Sequence, residues 1–168
     1  MKGMRKYGWV ALAVLLADRA SKAAARAFLP ALPGGSYPLW PGILHLTYAE
    51  NTGVAFSMLR MHPFLLALLT FAVLCVAAWA LRRWVRPSPL SASLIWALLA
   101  GGLGNWFDRI VYGYVVDFIE LRFVRFAIFN VADVAITSSC LLLAVMTFKE
   151  KKDDEIDAKD TGNGRAGR

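Results

Sequence analysis

Carboxylates inside apolar runs are where this sequence could do chemistry. Asp133 sits in Phe129-Asn130-Val131-Ala132-Asp133-Val134-Ala135-Ile136, and Asp117 in Val115-Val116-Asp117-Phe118-Ile119. An acid at the centre of a membrane span costs at least roughly 2.5–3.5 kcal/mol on insertion scales, so each asks for a reason. Taken singly, each has a plain structural one. Asp133 reads as a helix N-cap and Asp117 as a charge on the open face of a strand. Taken together, two carboxyls in apolar settings at one membrane surface can share a proton, because low dielectric opposes double ionisation. One then serves as base toward water and the other as acid toward a scissile carbonyl, which is the logic of an aspartic peptidase.

Other polar groups stand near them. Asp18 and Lys22 are four apart, the favourable order for a helical ion pair, and read equally as a pair that lets two charges tolerate the membrane edge. Arg19 and Arg26 are expected to snorkel to the surface. The run Gly101-Gly102-Leu103-Gly104-Asn105-Trp106-Phe107-Asp108-Arg109 fits neither phosphate-loop spacing. Its small residues permit close helix packing, and Asn105, Asp108 and Arg109 put polar groups at the end of a span. They read as a charged cap or as a hydrogen-bonding shell around the carboxylates. Asn51-Thr52-Gly53 reads as a turn. His45 and His62 read as surface or interface residues, and Ser21-Lys22 are adjacent and splay apart on a helix. Cys75 and Cys140 read as buried free thiols. No metal-site spacing is present, and no metal or cofactor is expected.

The elements that must position these residues are set by hydropathy. Of 168 residues, 58% are hydrophobic, above the roughly 45–50% usual for soluble domains. His62–Leu81 and Pro87–Phe107 contain no Lys, Arg, Asp or Glu, and each is long enough to cross a hydrocarbon core of about 30 Å. A helix over Tyr7–Phe28 with a polar outer end and another from Asp133 to Phe148 complete four spans. The first is read as uncleaved, since Asp18, Arg19 and Lys22 interrupt the place where a signal-peptide cut would fall. Asp133 then lies roughly 22 Å from Phe148 at about 1.5 Å per residue, slightly below the outer surface of the core.

Twelve of the nineteen basic residues fall in the amino terminus, the link between spans two and three, and the carboxyl tail. The positive-inside rule puts both termini in the cytoplasm. The net charge of +7 is thereby read as topology and some attraction to anionic lipid, and nucleic acid is not expected as a partner. Residues 30–61 carry turn punctuation, then a strand over Ile43–Tyr48 and a second apolar piece over Val54–Leu59. Residues 108–130 are rich in aromatic and β-branched types. A small extracytoplasmic β-sheet is expected, with Trp40, Tyr48, Tyr112 and Tyr114 near the interface. The expected class is thus an α-helical membrane protein with four transmembrane helices and a small outer sheet. Residues 1–148 form the integral-membrane domain, and 149–168 a disordered cytoplasmic tail.

In order along the chain, five segments resemble the lipoprotein signal peptidase (signal peptidase II) family. They are Asp18-Arg19-Ala20-Ser21-Lys22, Asn51-Thr52-Gly53-Val54-Ala55-Phe56-Ser57, Gly101 to Arg109, Val116-Asp117-Phe118, and Phe129-Asn130-Val131-Ala132-Asp133. The resemblance covers residues 1–148. It implies a membrane aspartic endopeptidase of the bacterial inner membrane, working at the extracytoplasmic face. Such enzymes cut prolipoproteins just before a cysteine that carries diacylglycerol. By motif position it implies Asp117 and Asp133 as the catalytic pair. Asn51, Gly53, Asn105, Asp108, Arg109 and Asn130 match positions that shape the site or contact substrate, and Asp18 and Lys22 match supporting positions. The chain is expected to act as a monomer in contact with membrane lipid. It departs from the family at Val134, where a small residue such as Ser is common, and at Glu50, where a basic or neutral residue is common. Intramembrane charges also suit a transporter or proton channel, or a structural subunit pairing with partner helices. Against transport, the charges gather at one face and no span carries a polar series.

Overall fold

The computed structural model describes residues 4–53 and 63–163. Four helices and three strands carry the fold: α1 (Gly8–Phe28), β1 (Ser36–Trp40), β2 (Leu44–Asn51), α2 (Pro63–Trp84), α3 (Pro89–Tyr112), β3 (Val115–Leu121) and α4 (Val131–Asn163). Among the described residues, three helical stretches are long and apolar enough to cross a membrane: Phe64–Trp84, Pro89–Tyr112 and Val131–Ile156. The helix α1 has 21 residues, but Asp18, Arg19, Lys22 and Arg26 crowd its second half. The expected segments Val54–Leu59 and His62 lie outside the described residues.

The helix α3 is the hub, packing against α1, α2 and α4. Its start is set by local chemistry. Ser88 accepts a hydrogen bond from the Ser91 amide, Ser91 Oγ accepts one from the Ser88 amide, and Pro89 opens the first turn. Its end is set by Gly113 at φ 80°, a left-handed cap that side-chain-bearing residues adopt only with strain. Between these ends, glycines let neighbours close in. A Cβ on Gly101 would stand 2.7 Å from the Ala132 carbonyl oxygen, and one on Gly104 would stand 2.6 Å from Asp18 Oδ2. Small residues at such crossings are how helices associate where lipid removes the hydrophobic drive between them. The outward faces are apolar instead. Phe64, Leu68, Val76 and Trp79 of α2 are all exposed, the inverse of a soluble protein.

The sheet is antiparallel in the order β1-β2-β3. The expected strand over Ile43–Tyr48 is the core of β2. The strand β1 was read as turn, because Pro38 lies inside it. Proline lacks the ladder N–H, which an edge strand tolerates. Beneath the sheet, Val116 and Phe118 pack on Ala25 and Leu29 at the carboxyl end of α1. Backbone bonds from the Phe118 and Ile119 amides to the Phe129 carbonyl tie β3 to the approach of α4. One sheet thus fixes the entry to α4 and the exit from α1.

Three expectations change. The helix α4 continues to Asn163, through residues expected to be disordered. Lys and Glu are good helix formers, and Arg86 pairs with Asp154 and approaches Glu150 from the link between α2 and α3. Cys75 and Cys140 are free thiols, but exposed on outward helix faces. Arg19 does not snorkel outward, as described below.

Candidate active site

Each carboxylate is delivered by a different element. Asp117 is the third residue of β3, held where β2 and β3 pair at Ala49 and Asp117. Asp133 is the third residue of α4. Asn130, just before that helix, caps it: its Oδ1 accepts from the Asp133 amide at 3.0 Å, and its own amide donates to Asp133 Oδ2 at 3.2 Å. This reciprocal box satisfies two of the amides that a helix start leaves open. Asp133 is therefore part of the cap without being the capping residue.

The same Asn130 reaches the other carboxylate. Its Nδ2 donates to Asp117 Oδ1 at 2.6 Å. One asparagine thus clasps Asp117 with its side chain and Asp133 with its backbone. Two further asparagines complete the pattern. Asn51 Nδ2 donates to Asp117 Oδ2 at 2.9 Å, and Asn105 Nδ2 donates to Asp133 Oδ1 at 2.8 Å. Each carboxylate oxygen of the pair accepts one N–H. Gly53 has its own part, since its amide donates to Asn51 Oδ1 at 2.8 Å and so turns Asn51 Nδ2 toward Asp117. Gly53 sits at φ 89°, a conformation glycine adopts freely.

Behind the pair lies a ring of alternating charge. Lys22 Nζ is 2.9 Å from Asp18 Oδ1 and 2.8 Å from Asp108 Oδ2. Arg19 closes the ring, at 2.8 Å from Asp18 Oδ2 and 2.6 Å from Asp108 Oδ1. Asp18 also accepts from the Ala132 amide at 3.2 Å, which ties α1 to the first turn of α4. Exposure is 0% for Asp18, 4% for Lys22, 1% for Asp108, 2% for Asp117 and 0% for Asn130. Buried charges persist only when paired and hydrogen-bonded, and these are. Arg109 donates to the Asn105 carbonyl and interacts electrostatically with Asp133, Asp117 and Asp108.

All ten residues singled out in the sequence therefore fall in one connected cluster. Arg19 is the member missed there. Its position beside Asp18 on a helix did not reveal that the guanidinium turns inward to Asp108, 89 residues away. Arg26, paired with it in the snorkelling expectation, lies over the Tyr112 ring at 3.8 Å. An apolar hollow of about 310 Å³ lies beside the ring, lined by Leu15, Arg19, Leu103, Gly104, Trp106 and Phe107, and does not include the carboxylate pair.

The Asp117 carboxyl is pushed up to about 6. Burial is the largest cause, opposed by the Asn51 hydrogen bond; the nearby Asp133 charge raises it further, and Asn130 and Lys22 oppose. A carboxyl that holds its proton this far into the neutral range, beside a second carboxylate, is equipped for acid–base work.

Residues 10–149 match the family model described as signal peptidase (SPase) II, and the chain belongs to that family. It is 36% identical over 149 residues to the lipoprotein signal peptidase of Streptococcus pneumoniae, covering 88% of this chain and 97% of that one. It is 41% identical over 111 residues to the lipoprotein signal peptidase of Streptococcus agalactiae serotype Ia, covering 66% and 72%. A solved bacterial membrane enzyme superposes with a TM-score of 0.76 at 26% identity, covering 88% of this chain and 90% of that chain. The protein is thus a peptidase of the multi-pass membrane class.

Proposed function

We propose that this protein removes the signal peptide from diacylglyceryl-modified prolipoproteins, with Asp117 and Asp133 as an aspartic dyad. The carrying observation is the Asn130 clasp, which ties two carboxylates from different elements to one residue, Asp117 through its side chain and Asp133 through its backbone amide. The names of the relatives supply the substrate class. α1 serves as the fourth span, with its charged half folded inward. Both termini lie in the cytoplasm, and the sheet and dyad lie at the extracytoplasmic face of the inner membrane. There a substrate anchored by its own lipid presents its cleavage site at the depth of the carboxylates, which a soluble enzyme could reach only by extracting it. The chain acts as a monomer.

The chemistry follows from one proton shared by two carboxyls. Asp117, the more buried, holds it. Asp133, ionised, takes a proton from water as the water oxygen attacks the scissile carbonyl carbon. Asp117 gives its proton to the carbonyl oxygen, forming a neutral tetrahedral diol. Collapse re-forms the C=O bond and breaks the C–N bond. The departing nitrogen takes the proton from Asp133, the diol hydroxyl returns one to Asp117, and the starting state is restored. Arg109 places a positive charge toward both carboxylates, which favours the singly ionised pair over the neutral one. No metal or cofactor is needed for these steps.

The test is cleavage of a synthetic diacylglyceryl-modified precursor in detergent micelles. Wild type should release the signal peptide, and Asp117→Asn and Asp133→Asn should not. Turnover by either folded variant at the wild-type rate overturns the dyad.

A further inference from the structure

The asparagines around the dyad are useful only if their amides point the right way. A side-chain amide reversed by half a turn presents oxygen where it presented N–H, and so repels an ionised carboxylate instead of stabilising it. Something must therefore hold each amide. For Asn51 it is the Gly53 amide, and for Asn130 it is the Asp133 amide. Both are backbone donors in local turns.

Asn105 has no such local partner. It lies within α3, and the donors that meet its Oδ1 come from α1 and from the residue that caps α4. Lys22 Nζ donates at 2.7 Å and Asn130 Nδ2 at 3.2 Å. An ammonium is a donor only, so the atom of Asn105 that faces Lys22 is an oxygen. The amide nitrogen is left to face Asp133 Oδ1 at 2.8 Å.

We infer that Lys22 is a positioning residue for the reaction: it sets the direction of the Asn105 side-chain amide and, through it, supplies Asp133 with a hydrogen-bond donor. Arg19 has a share in this. Asp18 and Asp108 carry two negative charges against the single charge of Lys22, and both are engaged by Arg19. With that second cation in the ring, the Lys22 ammonium keeps one proton for Asn105. The path runs from α1 to α3 to the first turn of α4, through Lys22, Asn105 and Asp133. The inference rests on the dyad reading.

A double-mutant cycle tests it. Lys22→Met is expected to lower kcat on the order of 10²-fold, the loss typical of removing one preorganised donor, with KM little changed. Asn105→Ala is expected to lose a similar factor. In the Asn105→Ala background, Lys22→Met should then cost less than about twofold, because its target is gone. A ring left with unbalanced charge can fail to fold, so the paired change Asp18→Asn with Lys22→Met, which removes one charge of each sign, is measured alongside. It should show the same loss of kcat. Multiplying losses in the cycle, or wild-type kcat in the folded charge-balanced pair, overturns the relay. Failure of the dyad itself would appear elsewhere, as turnover by Asp133→Asn.

Discussion

Asp117 carries one oxygen to Asn51 and one to Asn130, and the charge of Asp133 acts on it from nearby. A proton held there is released as pH rises. With the carboxyl pushed up to about 6, kcat/KM for the lipidated precursor should show an ionisation near pH 6 and fall on its alkaline side. A profile flat from pH 5 to 8 would remove Asp117 from the acid role. The same shift bears on folding. The folded value is raised above the ordinary carboxylate value of 3.8, so the contribution of Asp117 to stability is fully present below about pH 4 and is lost as pH climbs through 6. Thermal unfolding of the wild type in detergent should lose ground over that window relative to Asp117→Ala. Asn130→Ala removes a helix cap as well as the side-chain contact to Asp117. It should lose activity and also about 1–2 kcal/mol of stability, read as a lower Tm.

At the scale of elements, α3 makes the sharpest demand on sequence. Gly104→Ala places a methyl against the buried Asp18 carboxylate, and Gly101→Ala against the Ala132 backbone. Overpacking of this kind costs about 1–3 kcal/mol, so both variants should unfold at lower temperature. Gly8→Ala, with open space around it, should not. The helices were legible in the sequence because length and hydropathy alone mark them, and the expected spans differ from α2 and α3 only at their ends. The strand β1 was not, since Pro38 signals a turn when it stands alone and an edge strand only when a partner lies beside it. The inner end of α4 was read from composition as unstructured, whereas its Lys and Glu content supports a helix once one is already running. For the site, residue types and motif order marked ten members. Their hydrogen-bond directions, and the inward turn of Arg19, depend on long-range partners that no local spacing encodes.

For the whole molecule, orientation follows from charge placement. Reporter fusions or thiol labelling at both ends should find each in the cytoplasm, and labelling within residues 36–51 should find the outer face. An amino terminus outside would reduce the spans to three. The inner extension of α4 is held by exposed ion pairs from Arg86, and exposed pairs are worth about 0–1 kcal/mol. Removing residues 157–168 should therefore leave cleavage of the precursor unchanged.

Because Asp133 stands on the first turn of α4 and is locked to the residue that caps the helix, the proposed function would reference the plane of cutting to one rim of the bilayer, not to its middle. On that proposal a thicker or thinner membrane would be taken up at the far end, where the helix runs fifteen residues beyond Phe148. The proposed enzyme would carry its own depth gauge, read from the side on which its proposed substrates are anchored.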